Sequence, residues 1–106
     1  MAGRSDRVRL DLNSPDFQET FFSLETTDLK QVVASLRRLR SLGWEELYKH
    51  PGFRWEAIDH IRTPNGAKAY SVRLSLRIRA IVYRDGDTMR FVSLHPDHDS
   101  AYDRRP

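Results

Sequence analysis

Residues 94 to 102 read LHPDHDSAY, and they gather two histidines, two aspartates and a tyrosine where an alternating apolar pattern stops. Three chemistries are open to such a set. His95, Asp97, His98 and Asp99 are metal-ligand types, but no glutamate stands between the histidines as it would in a zinc-protease helix. His60 is a further candidate ligand, and nothing in the sequence brings it near. A polar turn is the second reading, with Pro96 ending the strand and Asp97 or Asp99 capping it. The third is proton transfer, because histidine is the side chain that ordinarily titrates near neutral pH. Tyr102 would need cationic neighbours to act as a base, yet its ring can stack on a nucleobase without any shift. No metal and no organic cofactor is expected.

A second set of residues is cationic. Residues 62 to 84 carry Arg62, Lys68, Arg73, Arg77, Arg79 and Arg84 and no acidic residue, so this stretch alone holds six positive charges. Parity decides where they point. Cross-strand neighbours share a face, and a slip of one residue turns every side chain over. If Leu74 and Ile78 both face the core, the loop between them is Ser75, Leu76 and Arg77, and Arg73 then lies opposite Arg79. Val72 pairs with Ala80 and Tyr70 with Val82. A two-residue turn at Asp85-Gly86 sets Val82 against Met89 and Ala80 against Phe91, with Arg90 on the side of Arg79. One face is apolar and the other collects guanidiniums. Like charges opposed across a ladder are mildly destabilising, and an anion would relieve them. Arginine's planar fork matches a phosphate and stays charged, so the cluster suits a phosphodiester and the charge that builds up in its transition state. The competing account pairs these arginines with Glu45, Glu46 or Glu56.

The elements that must hold these groups follow from periodicity. Val8, Leu10 and Leu12 alternate with polar neighbours as in a half-buried strand. Ser14 and Pro15 then suit an N-cap and first helical position, with Phe17, Phe21 and Leu24 on one face and Phe22 broadening it. Asp28 and Gln31 have capping-box spacing before a stripe of Leu29, Val32, Val33, Leu36 and Leu39, and Gly43 suits the C-terminal cap. Two helices so closely joined should pack antiparallel, with Arg37, Arg38 and Arg40 complementing the end of the second. WEELYKH adds a helical turn or two before Pro51-Gly52. FRWEAI suggests a second strand with Phe53, Trp55 and Ala57 on one side, TPNGAK a loop, and AYSVRL, IRAIVYR and TMRFVSL the remaining strands, the last two joined at Asp85-Gly86 as a type I′ hairpin. Summarised as strand, helix, helix, then three strands, this is an α+β domain whose small antiparallel sheet packs on an N-terminal helical hairpin. One domain over residues 1 to 106 is expected, with loose ends at 1 to 6 and 103 to 106.

Composition agrees. The chain has 106 residues, 39% hydrophobic and 31% charged, with a net charge of +3, which fits one globular core. It has no cysteine, so disulfides and thiolate zinc sites are excluded. No apolar run is long enough to span a bilayer, and the first thirteen residues lack the hydrophobic segment of a secretory signal. A cytoplasmic protein with no membrane partner is the expectation.

Together, the order of elements, the YSVRLSLRIRAIVYRDGD hairpin and the closing HDSAY resemble the RelE/ParE superfamily of bacterial toxin–antitoxin toxins, from the first strand through Tyr102. The resemblance implies a metal-independent endoribonuclease that cuts mRNA at the ribosome, the ribose 2′-hydroxyl attacking the adjacent phosphorus. It also implies a cognate antitoxin that wraps the toxin, with higher-order complexes of the two. By the same resemblance, Arg79 contacts the scissile phosphate and Arg73 assists. Tyr102 stacks or transfers a proton, and His98, preferred to His95, is the general acid or base. Arg77, Arg90, Lys68 and His95 would contact RNA. The lysine-rich set of RelE itself is not reproduced: position 73 is arginine, and Lys68 is the only lysine after Lys49. ParE-like relatives poison DNA gyrase, so a non-cleaving binder, gyrase-directed or merely antitoxin-binding, is the alternative function.

Overall fold

The structure is a computed structural model and describes residues 7 to 96. The expected loose ends, together with Asp97, His98, Asp99 and Tyr102, lie outside the described residues. Strand β1 (Arg9–Asp11) leads to helix α1 (Pro15–Phe21), α2 (Thr26–Arg40) and α3 (Trp44–Lys49), followed by β2 (Glu56–Arg62), β3 (Lys68–Arg73), β4 (Arg79–Asp85) and β5 (Thr88–His95). The fold is α+β, as expected, and each of the four period-two segments after the helices gives a strand, one more than the summary order of three. The sheet order is β1-β5-β4-β3-β2, and β1 runs parallel to β5 while the other pairs are antiparallel. The sheet is therefore mixed, because helices α1 to α3 carry the chain back across it before the β2–β5 meander begins.

Ser14 caps α1 by accepting from the Phe17 amide at 3.3 Å, with Pro15 entering the helix where no amide hydrogen is needed. Phe17 is fully buried and meets Phe91 at 5.1 Å between centroids, so α1 packs principally on β5. In α2 the capping-box expectation fails. The N-cap is Glu25, and Asp28 sits in the first turn, where its carboxylate pairs with Arg77 at 2.7 Å. Gly43 does not close α2, which ends at Ser41; it is the N-cap of α3, its amide donating to Glu46 Oε1 at 2.9 Å. Val32, Leu36 and Leu39 of α2 join Trp44, Leu47, Phe53, Val72, Leu74, Ile78, Ala80, Val82, Met89, Phe91 and Leu94 in the main core.

Strand β2 begins three residues later than the FRWEAI pattern suggests and extends to Arg62, through residues that composition had left unassigned. Phe53 precedes it and is buried, whereas Ala57 is exposed. Trp55 stacks on Tyr70 at 4.5 Å, an aromatic contact that does not need Trp55 to lie in the ladder.

Candidate active site

Parity holds where it matters most. Leu74 and Ile78 are both buried, the Leu74 amide donating to the Ile78 carbonyl at 2.8 Å around a three-residue loop. Val72 pairs with Ala80 and Tyr70 with Val82. Arg73 and Arg79 are consequently direct partners on the face opposite the main core, their Cβ atoms about 5 Å apart by ladder geometry.

Neither arginine is locked to an acid. Among the described residues no carboxylate forms an ion pair with Arg73 or Arg79, and Glu45, Glu46 and Glu56 do not reach them. Arg79 is 8% exposed, and its one side-chain hydrogen bond is a long 3.4 Å donation from Nη1 to Ser71 Oγ. The Nε atoms of both arginines are buried without a partner. An unmatched buried donor costs roughly 1–3 kcal/mol, so the fold bears a penalty here that an anion's oxygens would remove.

The far side of the pair depends on a bulge. The hairpin turns at Gly86-Asp87 instead of Asp85-Gly86, because the Asp87 carbonyl is held by the Arg9 amide at 2.9 Å and by Trp44 Nε1 at 3.1 Å. Only Gly86 of these two has positive φ, at 64°, which fits a II′ turn and not the expected I′. Val82 then faces Phe91 and Arg84 faces Met89, a shift of two residues that leaves every side chain on its expected face. Between Ile81 and Val82 the register slips again, at Val92 on β5, and Ile81 meets Ser93, Ala80 meets Leu94 and Arg79 meets His95. Without that bulge Leu94 would point away from the core. With it, an imidazole stands directly opposite the buried guanidinium.

His95 lies 3.0 Å from Ser93 Oγ through Nε2. Both line a groove of about 720 Å³ whose other walls are Asp16, Glu19 and Thr20 of α1, His60 and Ile61 of β2, and Ile81 of β4. The arginines do not line this groove; they lie at its end, Arg79 preceding Ile81 by one alternation of β4. This face is also less uniformly cationic than parity implies. Ile58, Ala69 and Ile81 form a second small buried cluster, joined by Ile61 and Val92. The curled β2–β3 hairpin thus brings His60 to the same groove as His95, a placement with no sequence signal, since β2 and β5 are separated by two strands. Among the described residues no three acidic or histidine side chains gather in a way that could hold a metal ion.

The remaining candidates separate from this site. Arg77 is tied down by Asp28 and donates to the Pro96 carbonyl at 3.2 Å. Lys68 is exposed and pairs with Asp59 at 3.2 Å. Arg90 does emerge on the face of Arg79, but it is clasped by Asp85, at 2.9 Å, and by Asp11. Its hydrogen bonds to those two carboxylates, Asp85 first, raise its pKa above the ordinary arginine value. None of these three shares the unpaired state of Arg73 and Arg79.

No protein-family profile matches the chain, and no curated protein does. Solved structures do. The RelE–RelB complex of the archaeon Pyrococcus horikoshii matches with a TM-score of 0.55 at 16% identity, covering 87% of this chain and 94% of that one. The fold is RelE-like. A copper-bound mutant toxin from Helicobacter pylori also aligns, at a TM-score of 0.47 and 15% identity over 91% of this chain and 98% of that one. In this RelE-like sheet the opposed arginines and His95 occupy β3, β4 and β5 in turn, one group on each of three adjacent strands. No helix among the described residues is long and apolar enough to cross a membrane.

Proposed function

We propose that this chain is the toxin of a toxin–antitoxin pair and that it acts as a metal-independent endoribonuclease on mRNA at the ribosome. The observation that carries the reading is the Arg73–Arg79 pair, two directly opposed guanidiniums with buried, unmatched Nε donors and no acidic partner among the described residues. A scissile phosphate placed between them accepts those donors, and its gathering negative charge strengthens the contact in the transition state. His95, opposite Arg79, is within reach of the same phosphate, and His60 faces the groove from β2. One imidazole removes the proton from the ribose 2′-hydroxyl, and the other protonates the departing 5′-oxygen, leaving a 2′,3′-cyclic phosphate. Asp16 and Glu19 on the α1 wall repel phosphates, which confines the backbone to the arginine end of the groove. The RelE-like fold supports a cognate antitoxin as partner, since the archaeal relative was solved as a complex with RelB.

The test uses a defined mRNA and its counterpart carrying a 2′-deoxy nucleotide at the cleavage position. The purified chain, with ribosomes present, should cut the first to a 2′,3′-cyclic end and leave the second intact, and Arg79→Ala should abolish cutting. Cleavage of the deoxy substrate, or growth arrest that persists in Arg79→Ala cells with no RNA cut, would overturn it and favour a gyrase-directed or otherwise non-cleaving binder.

A further inference from the structure

Charge pairing divides the arginines into two groups. Arg54, Arg77, Arg84 and Arg90 each lie within ion-pair distance of a carboxylate. Arg7, Arg9 and Arg40, like Arg37, Arg38, Arg62, Arg73 and Arg79, have no such partner among the described residues, and these three are exposed and gathered in one place. They converge on one cleft of about 340 Å³, completed by Val8 and Leu10, with no acidic residue among the described residues of its lining. The fold brings them together at the outer edge of the sheet: Arg7 bridges to Gly43 just beyond α2, Arg9 starts β1, and Arg40 ends α2.

Helix electrostatics alone do not call for this grouping. A helix C-terminus carries only about half an elementary negative charge, and Arg37, Arg38 and Arg40 already occupy the last turn of α2. Arg7 and Arg9, brought beside Arg40 without carboxylates, add two further guanidiniums that the helix end does not call for. We infer that this cleft is a second phosphate site, gripping the RNA backbone several nucleotides from the bond cut at Arg79; the inference rests on the ribonuclease reading above. A phosphate chain fits better than an acidic peptide, because a peptide ordering on the surface needs apolar anchors. Val8 is 2% exposed, and the exposed large hydrophobics Phe22, Val33, Tyr48 and Leu76 all lie outside the cleft.

Strand β5 sets the spacing. Arg9 lies opposite Thr88 at one end of β5 and Arg79 opposite His95 at the other. At about 3.3 Å per residue the two sites are roughly 20 Å apart, which is about six nucleotides of a stacked strand. A stacked strand shorter than that cannot occupy both, and a tetranucleotide, with three internal phosphates, is too short in any conformation.

The experiment measures salt-dependent binding of a twelve-nucleotide single-stranded RNA, made uncleavable by 2′-deoxy substitution, to the wild-type chain and to the Arg7→Gln/Arg9→Gln/Arg40→Gln variant. Three lost phosphate contacts should flatten the log–log salt slope by about 2, so a fourfold rise in salt costs the wild type about 16-fold more affinity than the variant. Binding of a tetranucleotide should be equal in the two proteins. An unchanged slope in a variant with an unchanged circular dichroism spectrum overturns the second site, as does a variant that loses affinity for an acidic peptide or for antitoxin but not for RNA. If the wild type binds the twelve-mer with a steep slope but cuts no RNA, the nuclease reading fails while this cleft stands.

Discussion

At the scale of single residues the site is a conflict that the fold tolerates. Arg73 opposite Arg79 is electrostatically unfavourable, and both Nε atoms are buried without acceptors. The long Arg79–Ser71 bond recovers little of that. Replacing both members of a poor buried polar pair with apolar groups of similar shape is neutral or stabilising. Arg79→Met combined with Ser71→Ala should therefore raise stability by about 1 kcal/mol, seen as a melting midpoint roughly 4–8 °C higher. RNA cleavage should meanwhile fall by about 10²–10³-fold, the cost of losing one charge-stabilising donor. A lower midpoint in that variant would mean that Arg79 serves the fold. Arg90 is the contrasting case: Arg90→Gln frees Asp11 and Asp85 at a half-exposed site and should leave RNA cleavage within about threefold, measured on the same substrate.

At the scale of elements, what could be read from the sequence was what parity controls. The Arg73–Arg79 register follows from two core residues, Leu74 and Ile78, flanking an odd loop, and that inference needs no tertiary information. His95 opposite Arg79 could not be read in this way, because a bulge has no local signature and inverts everything beyond it. The reason for the bulge is tertiary. Ser14, besides capping α1, donates its hydroxyl to the Val92 carbonyl at 2.7 Å, so one side chain fixes both a helix start and the bulged residue. The turn shift likewise depends on Arg9 and Trp44, which are remote in sequence, and the displaced start of β2 follows Arg54, whose φ of 48° breaks the extended backbone that FRWEAI implies. Ser14→Ala should cost about 1–2 kcal/mol from the lost cap and bulge anchor, read from chemical denaturation. It should also lower cleavage well below the wild type under conditions where the protein remains folded. Inserting one alanine after Val92 should be worse, sending His95 towards the core side and Leu94 towards the arginines, with cleavage lost entirely. Full activity in either variant would remove the bulge from the account.

At the scale of the whole molecule, the two faces of the sheet carry opposite demands and share β5. Its core-facing residues, Met89, Phe91 and Leu94, are all buried, while Ser93 and His95 look into the groove. Phe17 of α1 fastens the first face through Phe91 and also stacks on Phe21 at 5.4 Å, so it links helix and sheet at the strand that carries the histidine. Phe17→Ala removes a fully buried ring and should cost about 3–5 kcal/mol, a large fraction of the roughly 5–15 kcal/mol that holds a domain of this size. Stability and cleavage should then fall together, with activity per folded molecule preserved at low temperature, whereas the arginine substitution separates them by raising one and lowering the other. Measuring melting midpoint and cleavage rate on both variants tests that division directly. If Phe17→Ala lost cleavage while still fully folded, the core face would be setting the geometry of the site through β5, and the two faces could not be treated as independent.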